Sequence, residues 1–267
     1  GDDETPADNM VNFGFVSLPG GRPAVSVQLG VLHTCALLGD GSQLGMQIEY
    51  AVQPSPDGLA QAFLIGEEFI GGDMCAMILG DNIFYGNGLG SKLQTAVENA
   101  KNSYATIFGH YVNDPERFGV MEIGENGEVL SVEEKPKKPK SNYCITGLYF
   151  YDNRVVEFAK RIRPSERGEL EITAINELYL QHNSLKAIIL GRGFAWIDAG
   201  TMDSLIEASA FVQMIEKMQS VKISAPEEIA YLRNWIDKEQ LLASAELYGK
   251  SPYGEHLKKV AEGKIIY

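Results

Sequence analysis

Two aspartates stand at points of the sequence where oxygen ligands for a divalent cation are expected. Asp81 follows the apolar run Met74–Leu79, and Asp198 follows the apolar residues 194–197. If both runs are buried strands, these carboxylates lie at the sheet edge where open α/β sheets bind ligands. Mg²⁺ is usually held by one or two carboxylates together with phosphate oxygens and water. The alternative is that each aspartate caps a turn or a helix, and spacing alone leaves that alternative open.

Two further positions have residue types suited to a nucleotide or a phosphate. Residues 53–58 form a loop in which Gln53 offers a hydrogen-bond donor and an acceptor to the edge of a base. Gly58, at the end of that loop, allows a ligand to approach the backbone closely. An ordinary turn leading into a helix explains the same loop equally well. Lys135 ends a predicted strand and could hold a phosphate, whereas the lysines that follow it are typical of a solvated loop.

The elements that must position these residues alternate between strands and helices. From residue 38 onward, short apolar runs alternate with amphipathic segments, which predicts an α/β protein with a mixed, mostly parallel sheet and helices on both faces. The predicted divisions are an atypical N-terminal segment (1–37), a core (38–220) and a C-terminal helical extension (221–267). In the first division only residues 24–32 resemble a strand.

Several local predictions can be compared directly with the structure. Residues 46–52 alternate as a strand does, and residues 59–70 have the apolar spacing of one helix. Thr201 is a predicted N-cap. The helix after it is predicted to have one apolar face, made of Leu205, Ala208, Val212, Ile215 and Met218.

The composition argues against several classes of protein, including nucleic-acid-binding and membrane proteins. The chain has 267 residues, 45% of them apolar, and a formal net charge of −13. This excess of acids argues against nucleic-acid binding and against an anionic membrane surface, because both partners attract clustered cations. No apolar run is long enough for a membrane helix, and no signal peptide is visible. The cysteines, Cys35, Cys75 and Cys144, suggest neither a disulfide framework nor a zinc site, so a cytoplasmic location is expected.

Seven segments, in order and separated by short gaps, resemble the glucose-1-phosphate thymidylyltransferase family. Together they cover most of the chain from about residue 38 onward. They contain both aspartates, the 53–58 loop and Lys135. The segments are residues 37–45, 53–67, 79–88, 114–123, 132–152, 163–180 and 190–209.

The resemblance implies a Rossmann-like nucleotidyltransferase core that forms dTDP-glucose and pyrophosphate from dTTP and glucose-1-phosphate. It also implies a homotetramer and a feedback site for a dTDP-sugar, built partly by the C-terminal helices. The implied catalytic residues are Asp81, Asp198 and Lys135, and the two aspartates are the implied ligands of Mg²⁺. The implied nucleotide-binding residues are Gln53, Gly58 and Asp81. The implied sugar-phosphate residues are Gly119, Glu134, Lys135, Ile145 and Tyr149, with Glu134 bonding sugar hydroxyls and Lys135 the phosphate.

The N-terminal segment departs from the family. Family members begin with a strand and a glycine-rich loop that wraps the triphosphate. An arginine of that loop and a lysine shortly after it stabilise the leaving pyrophosphate. Residues 1–37 lack this pattern, and residues 19–23 place prolines where backbone amide donors are needed. We therefore expect retained sugar-phosphate and base contacts with weak or no turnover.

Two other functions agree with the same residues. One is a sugar-1-phosphate nucleotidyltransferase that uses UTP or another nucleotide. The other is a non-catalytic paralogue that binds a sugar nucleotide and regulates an active partner. The departure at the N-terminus favours the paralogue, and the presence of both aspartates favours an enzyme.

Overall fold

A computed structural model describes the backbone of Phe13–Leu18 and all of residues 38–220 and 222–265. Nine strands and nine α-helices lie in these ranges. The strands are β1 (Phe13–Leu18), β2 (Met74–Leu79), β3 (Asn82–Tyr85), β4 (Ala105–Tyr111), β5 (Gly119–Ile123), β6 (Val129–Glu134), β7 (Tyr143–Tyr151), β8 (Leu185–Leu190) and β9 (Ala195–Asp198). The helices are α1 (Gln61–Ile65), α2 (Glu67–Ile70), α3 (Leu89–Lys101), α4 (Arg154–Arg161), α5 (Ile172–Gln181), α6 (Met202–Gln219), α7 (Pro226–Leu232), α8 (Lys238–Leu247) and α9 (Pro252–Ala261).

The main sheet is mixed, as the sequence predicts. Its strand order is β1-β2-β7-β4-β8, and β5 and β6 form a hairpin that joins β7. The central strand β7 runs antiparallel to both β2 and β4, while β4 and β8 are parallel. Strands β2, β4 and β8 therefore share one direction. A separate two-stranded ribbon of β3 and β9 carries polar residues to the edge of this sheet.

Apolar side chains cover both faces of the sheet. On one face, Tyr149 and Tyr151 of β7 pack in a cluster with residues of α1, α4 and α5. On the other face, Leu148 and Phe150 of the same strand pack with α3 and with the β3–β9 ribbon. The alternation of side chains along β7 produces this division, since successive residues of a strand point to opposite faces. Both faces of β7 are buried, which agrees with the mostly apolar sequence of the strand.

Two local predictions near the start of the core are wrong. Residues 46–52 do not form a strand, because the backbone amides of Met46 and Ile48 bond to the carbonyls of Gly41 and Asp40 in the preceding turn. The predicted helix at 59–70 is two short helices that meet at Gly66. Glycine weakens a helix interior because it loses more backbone freedom on folding than any other residue.

Helix α6 begins as predicted, but only the middle of its predicted apolar face is covered. Thr201 caps it with a reciprocal pair of bonds to Ser204. Ala208 is the only buried residue of the helix, whereas Leu205 is 48% exposed and Met218 is 75% exposed. Val212 and Ile215 are half-buried on the same side as Ala208, so the two ends of the predicted face are the parts that remain exposed.

The C-terminal helices have their own apolar cluster. Leu241, Ala245 and Leu257 are fully buried there, and Leu44 from the start of the core packs among them. A buried hydrogen bond also joins two of these helices, with 2.6 Å between His256 Nε2 of α9 and Glu228 Oε2 of α7.

At the N-terminus, β1 pairs antiparallel with β2 along its whole length, from Phe13 opposite Leu79 to Leu18 opposite Met74. The strand expected at residues 24–32 lies outside the described residues. Cys75 and Cys144 are buried free thiols. In the parts of the chain that the structure describes, no helix is both long and apolar enough to span a membrane.

Candidate active site at the edge of the sheet

The β3–β9 ribbon brings the two aspartates together. Asp81 immediately precedes β3, and Asp198 ends β9, where it pairs with Asn82. The Ala199 amide donates a 2.8 Å hydrogen bond to the Asp81 carbonyl, which continues the pairing by one residue. The backbone of the ribbon therefore holds the two aspartates side by side.

Their carboxylates converge on the space beside Gly200. An oxygen of Asp198 lies 3.0 Å, and an oxygen of Asp81 lies 3.3 Å, from the point where a β-carbon on Gly200 would stand. The Gly200 amide also donates a 3.0 Å hydrogen bond to Asp198 Oδ1. Burial raises the pKa of Asp198, and the neighbouring Asp81 carboxylate raises it further. The site thus concentrates negative charge in a place that water solvates poorly.

A cavity of about 180 Å³ opens beside Asp198. Its wall is formed by the ends of β2, β3, β5, β6 and β9, the middle of β7 and the start of α5. The lining residues are Leu59, Leu79, Asn82, Arg117, Phe118, Gly119, Glu134, Lys135, Ile145, Gly147, Tyr149, Glu171, Ile172, Thr173, Trp196 and Asp198. All five residues that the resemblance implies for the sugar phosphate are among them.

Lys135 enters the cavity from a strained turn. It follows the last residue of β6, and its φ of 42° is in the left-handed region that side chains disfavour. A 3.0 Å hydrogen bond from its amide to the Phe118 carbonyl holds the turn in place. Because Lys135 and Arg117 are cationic, both lower the pKa of Asp198 and oppose the effect of burial.

Glu134 is fixed by residues on three elements. Thr173 of α5 donates a 2.5 Å hydrogen bond to Glu134 Oε2. Arg167 Nη1 lies 4.0 Å from Glu134 Oε1 and 3.9 Å from Glu171 Oε1, so one guanidinium lies between two carboxylates. Gly119 pairs with Glu134 across the hairpin, and a β-carbon there would stand 3.3 Å from Glu134 Oε2. Glycine therefore leaves room for this carboxylate.

Ile145 and Tyr149 contribute the apolar part of the wall. Both lie on β7, on the same face as Gly147, and both are almost fully buried. Burial is the main reason that the pKa of Tyr149 is raised, followed by the charges of Glu134 and Asp81. The Tyr149 hydroxyl is therefore a neutral hydrogen-bonding group at physiological pH.

Gln53 and Gly58 lie outside this cavity, next to its lining residue Leu59. Gln53 Nε2 donates to the Gly58 carbonyl at 3.2 Å and to Gln61 Oε1 at 2.6 Å. Its other amide atom, Oε1, is buried with no hydrogen-bond partner. A buried acceptor left unpaired in this way needs an explanation, such as an ordered water or a bound ligand that completes its hydrogen bonding.

Gly58 packs against protein backbone. Its φ is 106°, and a β-carbon there would stand 2.5 Å from the Leu170 nitrogen and closer still to the Leu170 carbonyl oxygen, so it would clash with that backbone. The Leu170 amide donates to the Asp57 carbonyl, and the Ala60 amide donates to the Leu170 carbonyl. This glycine therefore allows the 53–58 loop to meet the segment that leads into α5.

Asn82 connects the cavity wall to the aspartates, and no sequence pattern singled it out. Its Oδ1 accepts a 2.6 Å hydrogen bond from Trp196 Nε1 and a 2.9 Å bond from the Gly147 amide. Its Nδ2 donates to Asp81 Oδ1 at 2.8 Å. The only signal for Asn82 in the sequence was its polar side chain directly after Asp81. Its partners Gly147 and Trp196 lie on strands that are distant in sequence, so no local pattern indicates them.

Two carboxylates facing one small space suit a hard divalent cation. Among the described residues, no group of three or more His, Cys, Asp and Glu side chains is placed to hold a metal. A pair is enough for Mg²⁺, which keeps several waters and takes phosphate oxygens as further ligands. The donors present at Gly200 therefore fit this ion.

The chain is similar to known proteins along most of its length. A family model described as nucleotidyl transferase matches residues 32–214. A glucose-1-phosphate thymidylyltransferase of Neisseria gonorrhoeae is 55% identical over 221 residues, which cover 83% of this chain and 76% of that protein. The enzyme of the same name from Mycobacterium tuberculosis (strain ATCC 25618 / H37Rv) is 50% identical, with 85% of this chain and 77% of that protein covered.

Solved structures agree with these sequence matches. A Bacillus anthracis protein assigned to the glucose-1-phosphate thymidylyltransferases, crystallised with sucrose, is 41% identical and superposes with a TM-score of 0.59 over 67% of this chain and 70% of that one. A UDP-glucose pyrophosphorylase complexed with UDP-glucose is 25% identical, with a TM-score of 0.53 over 62% of this chain and 66% of that one. The chain therefore belongs to the glucose-1-phosphate thymidylyltransferase family of nucleotidyl transferases.

Proposed function

We propose that this protein forms dTDP-glucose and pyrophosphate from dTTP and glucose-1-phosphate. The observation that carries the proposal is the convergence of Asp81 and Asp198 at Gly200, beside a cavity lined by Glu134 and Lys135. The names of the relatives at 50–55% identity support the choice of substrates.

In the proposed reaction, an ionised oxygen of the sugar phosphate attacks the α-phosphorus of dTTP. The new oxygen–phosphorus bond forms as the bond to the β-phosphate oxygen breaks, and pyrophosphate leaves with that electron pair. The attacking oxygen already carries charge at neutral pH, so no general base is required. The work of the protein is to place two anions in line and to neutralise the charge between them.

Each group of side chains has a separate task in this proposal. Asp81 and Asp198 would hold Mg²⁺, which when bound polarises the phosphate under attack. Lys135 and Arg117 offset the repulsion between the two anionic substrates. Glu134, held by Thr173, accepts hydrogen bonds from sugar hydroxyls.

Gln53 is the proposed contact to the base. Its Nε2 is already engaged with Gly58 and Gln61, so Oε1 remains as an acceptor for the N3–H of a pyrimidine. Thymine and uracil share that N3–H, so this hydrogen bond alone does not distinguish dTTP from UTP. The 25% identical UDP-glucose pyrophosphorylase therefore keeps a UTP-using activity as a second candidate.

A regulatory, non-catalytic role is the third candidate. Arg117 and Lys135 are the cations that line the cavity in the described part of the chain. A leaving pyrophosphate needs further positive charge, and residues 1–37 lack the family's signature loop. We therefore propose that turnover is weak while sugar-nucleotide binding is retained.

The assembly and location belong to the same proposal. We infer a cytoplasmic homotetramer with a dTDP-sugar feedback site near the C-terminal helices, because the family resemblance implies all three. The exposed apolar residues Met218 and Leu247, 75% and 88% accessible, are the kind of surface that an assembly covers. Light scattering coupled to gel filtration would measure the oligomeric state.

Pyrophosphate release tests the activity. The assay uses glucose-1-phosphate and Mg²⁺ with dTTP, UTP or ATP, and Asp198→Asn serves as the inactive control. Release that is fastest with dTTP supports the proposal, and release that is fastest with UTP selects the second candidate. If no nucleotide is turned over but dTDP-glucose raises the melting temperature, the protein is the non-catalytic binder.

A further inference from the structure

His110 lies directly behind the cavity wall without touching the cavity. It is half-buried on β4, and the described lining residues do not include it. Its ring meets Trp196 edge to face, with centroids 6.0 Å apart and planes at 65°. A second aromatic neighbour of the indole is Phe118, whose ring centroid lies 5.2 Å away. Both rings help to position the Trp196 side chain.

The position of Trp196 matters because it is connected to a metal-ligand candidate through one residue. Its Nε1 donates a 2.6 Å hydrogen bond to Asn82 Oδ1. Asn82 in turn donates a 2.8 Å bond from Nδ2 to Asp81 Oδ1. A displaced indole would remove one of the two donors that orient the Asn82 amide, and the amide orients the carboxylate.

Hydrogen bonding does not explain why His110 is placed there. Its Nδ1 is buried and has no partner. Burial lowers the pKa of the imidazole, so the ring is neutral at physiological pH. The edge-to-face contact between the neutral imidazole and the indole of Trp196 is therefore the interaction that accounts for the position of His110.

We propose that His110 is a positioning residue: its ring holds Trp196 against Asn82 and thereby orients the Asp81 carboxylate toward the divalent-cation site. This inference depends on the proposed function for the role of Asp81. It does not depend on whether the chain turns over, because cation binding and the environment of Trp196 can be measured separately.

The chain has two tryptophans, Trp196 and Trp235. The experiment uses a Trp235→Phe background, so that all tryptophan emission comes from Trp196. His110→Leu removes the aromatic edge while filling similar space, so a folding defect is avoided. His110→Phe keeps the ring, and His110→Asn keeps a polar group near the Nδ1 position. His182→Ala, at an exposed histidine on another element, is the control.

We expect His110→Leu to raise the half-saturating Mg²⁺ concentration about threefold, which is less than the roughly tenfold or greater effect of losing a direct partner of a metal ligand, because His110 acts through two intervening residues. Mg²⁺ titrations would be followed by Trp196 emission, and by pyrophosphate release at saturating substrates, with kcat recovering at high Mg²⁺. His110→Phe should restore both readouts, and the His182 control should change neither.

The proposal is overturned if His110→Leu leaves the emission and the Mg²⁺ dependence unchanged. It is also overturned if His110→Asn restores both while His110→Phe does not, since a hydrogen bond would then be responsible. If even the parent protein releases no pyrophosphate, the proposed activity fails, and the emission titration still decides the role of His110.

Discussion

The position that makes Asp198 a candidate cation ligand also lowers the stability of the folded protein at neutral pH. Burial and the neighbouring Asp81 raise its pKa above the ordinary value of 3.8. The folded protein therefore binds this proton more tightly than the unfolded chain does. The free energy of unfolding then falls as the pH rises from 3.8 through the folded pKa. At neutral pH the ionised group is a destabilising one, and a bound cation would offset that cost.

Asp198→Asn tests this balance. Without divalent cations at pH 7, we expect a higher melting temperature than that of the parent, because the buried charge is gone while an acceptor for the Gly200 amide remains. We expect turnover to fall at least about 100-fold, since even outer-shell partners of a metal are worth up to that much.

Differential scanning calorimetry in EDTA and a pyrophosphate assay would measure the two effects. Asp203→Asn, at an exposed carboxylate nearby, is the control and should leave both nearly unchanged. A melting temperature for Asp198→Asn well below that of the control would refute the argument from burial.

Gly200 is the second residue that the geometry of the site explains, because a side chain there would fill the space between the two aspartates. In Gly200→Ala, the new β-carbon would stand 3.0 Å from Asp198 Oδ1 and 3.3 Å from Asp81 Oδ2, in the space that both carboxylates face. We expect the affinity for Mg²⁺ to fall about tenfold or more, with little change in the midpoint of urea unfolding.

Isothermal titration with Mg²⁺ would measure the affinity. Gly191→Ala is a matched control, because a β-carbon at Gly191 would meet nothing within 4 Å. Equal Mg²⁺ affinities in the two variants would show that the cation does not bind between the aspartates.

At the scale of elements, two loops that are distant in sequence pack against each other. The backbone from Asp57 to Ala60, at the end of the 53–58 loop, exchanges two hydrogen bonds with Leu170 in the segment before α5. Gly58 lies at the closest approach, with a φ of 106°. The loop that carries Gln53 is therefore positioned by the same segment that leads into Thr173 and the Glu134 contact.

Gly58→Ala should therefore destabilise the protein strongly. Gly168→Ala, also at a positive φ of 81° but with open space around it, isolates the backbone strain and should cost about 1–2 kcal/mol. We expect Gly58→Ala to cost roughly twice as much or more, because the Leu170 backbone must also move. Urea denaturation of both variants would measure the difference, and equal costs would show that this contact is unimportant.

At the scale of the whole molecule, the sheet is completed on one side by a strand from the atypical N-terminal segment. Strand β1 adds to β2 in antiparallel orientation over six residue pairs. Asp81 follows the last residue of β2 by two positions, so the pairing supports the strand that leads into the site.

Amide hydrogen exchange tests this pairing. We expect the β1 amides that bond to β2 to exchange at least about 100-fold more slowly than those of the exposed residues 51–52. Mass spectrometry of peptides covering 13–18 and 49–53 would give the comparison. Exchange in β1 as fast as in the exposed loop would show that the N-terminal segment does not complete the sheet in solution.

Much of the fold is readable from local patterns. The apolar runs at β2 and before Asp198 and the cap at Thr201 were all predicted, because each depends on residues close in sequence. The same runs placed Asp81 and Asp198 at strand ends. The prediction of a strand at 46–52 was wrong because backbone amides of this segment donate hydrogen bonds to carbonyls of the preceding turn.

By itself, the sequence determined the α/β class, the family and the two aspartates that end apolar runs. Only the tertiary structure decided that these aspartates share one space at Gly200, and that Asn82, Trp196 and His110 lie behind them. The physical reason is that local patterns report which face of an element is buried. A site is made by side chains from several strands, whose distances depend on how those strands pair.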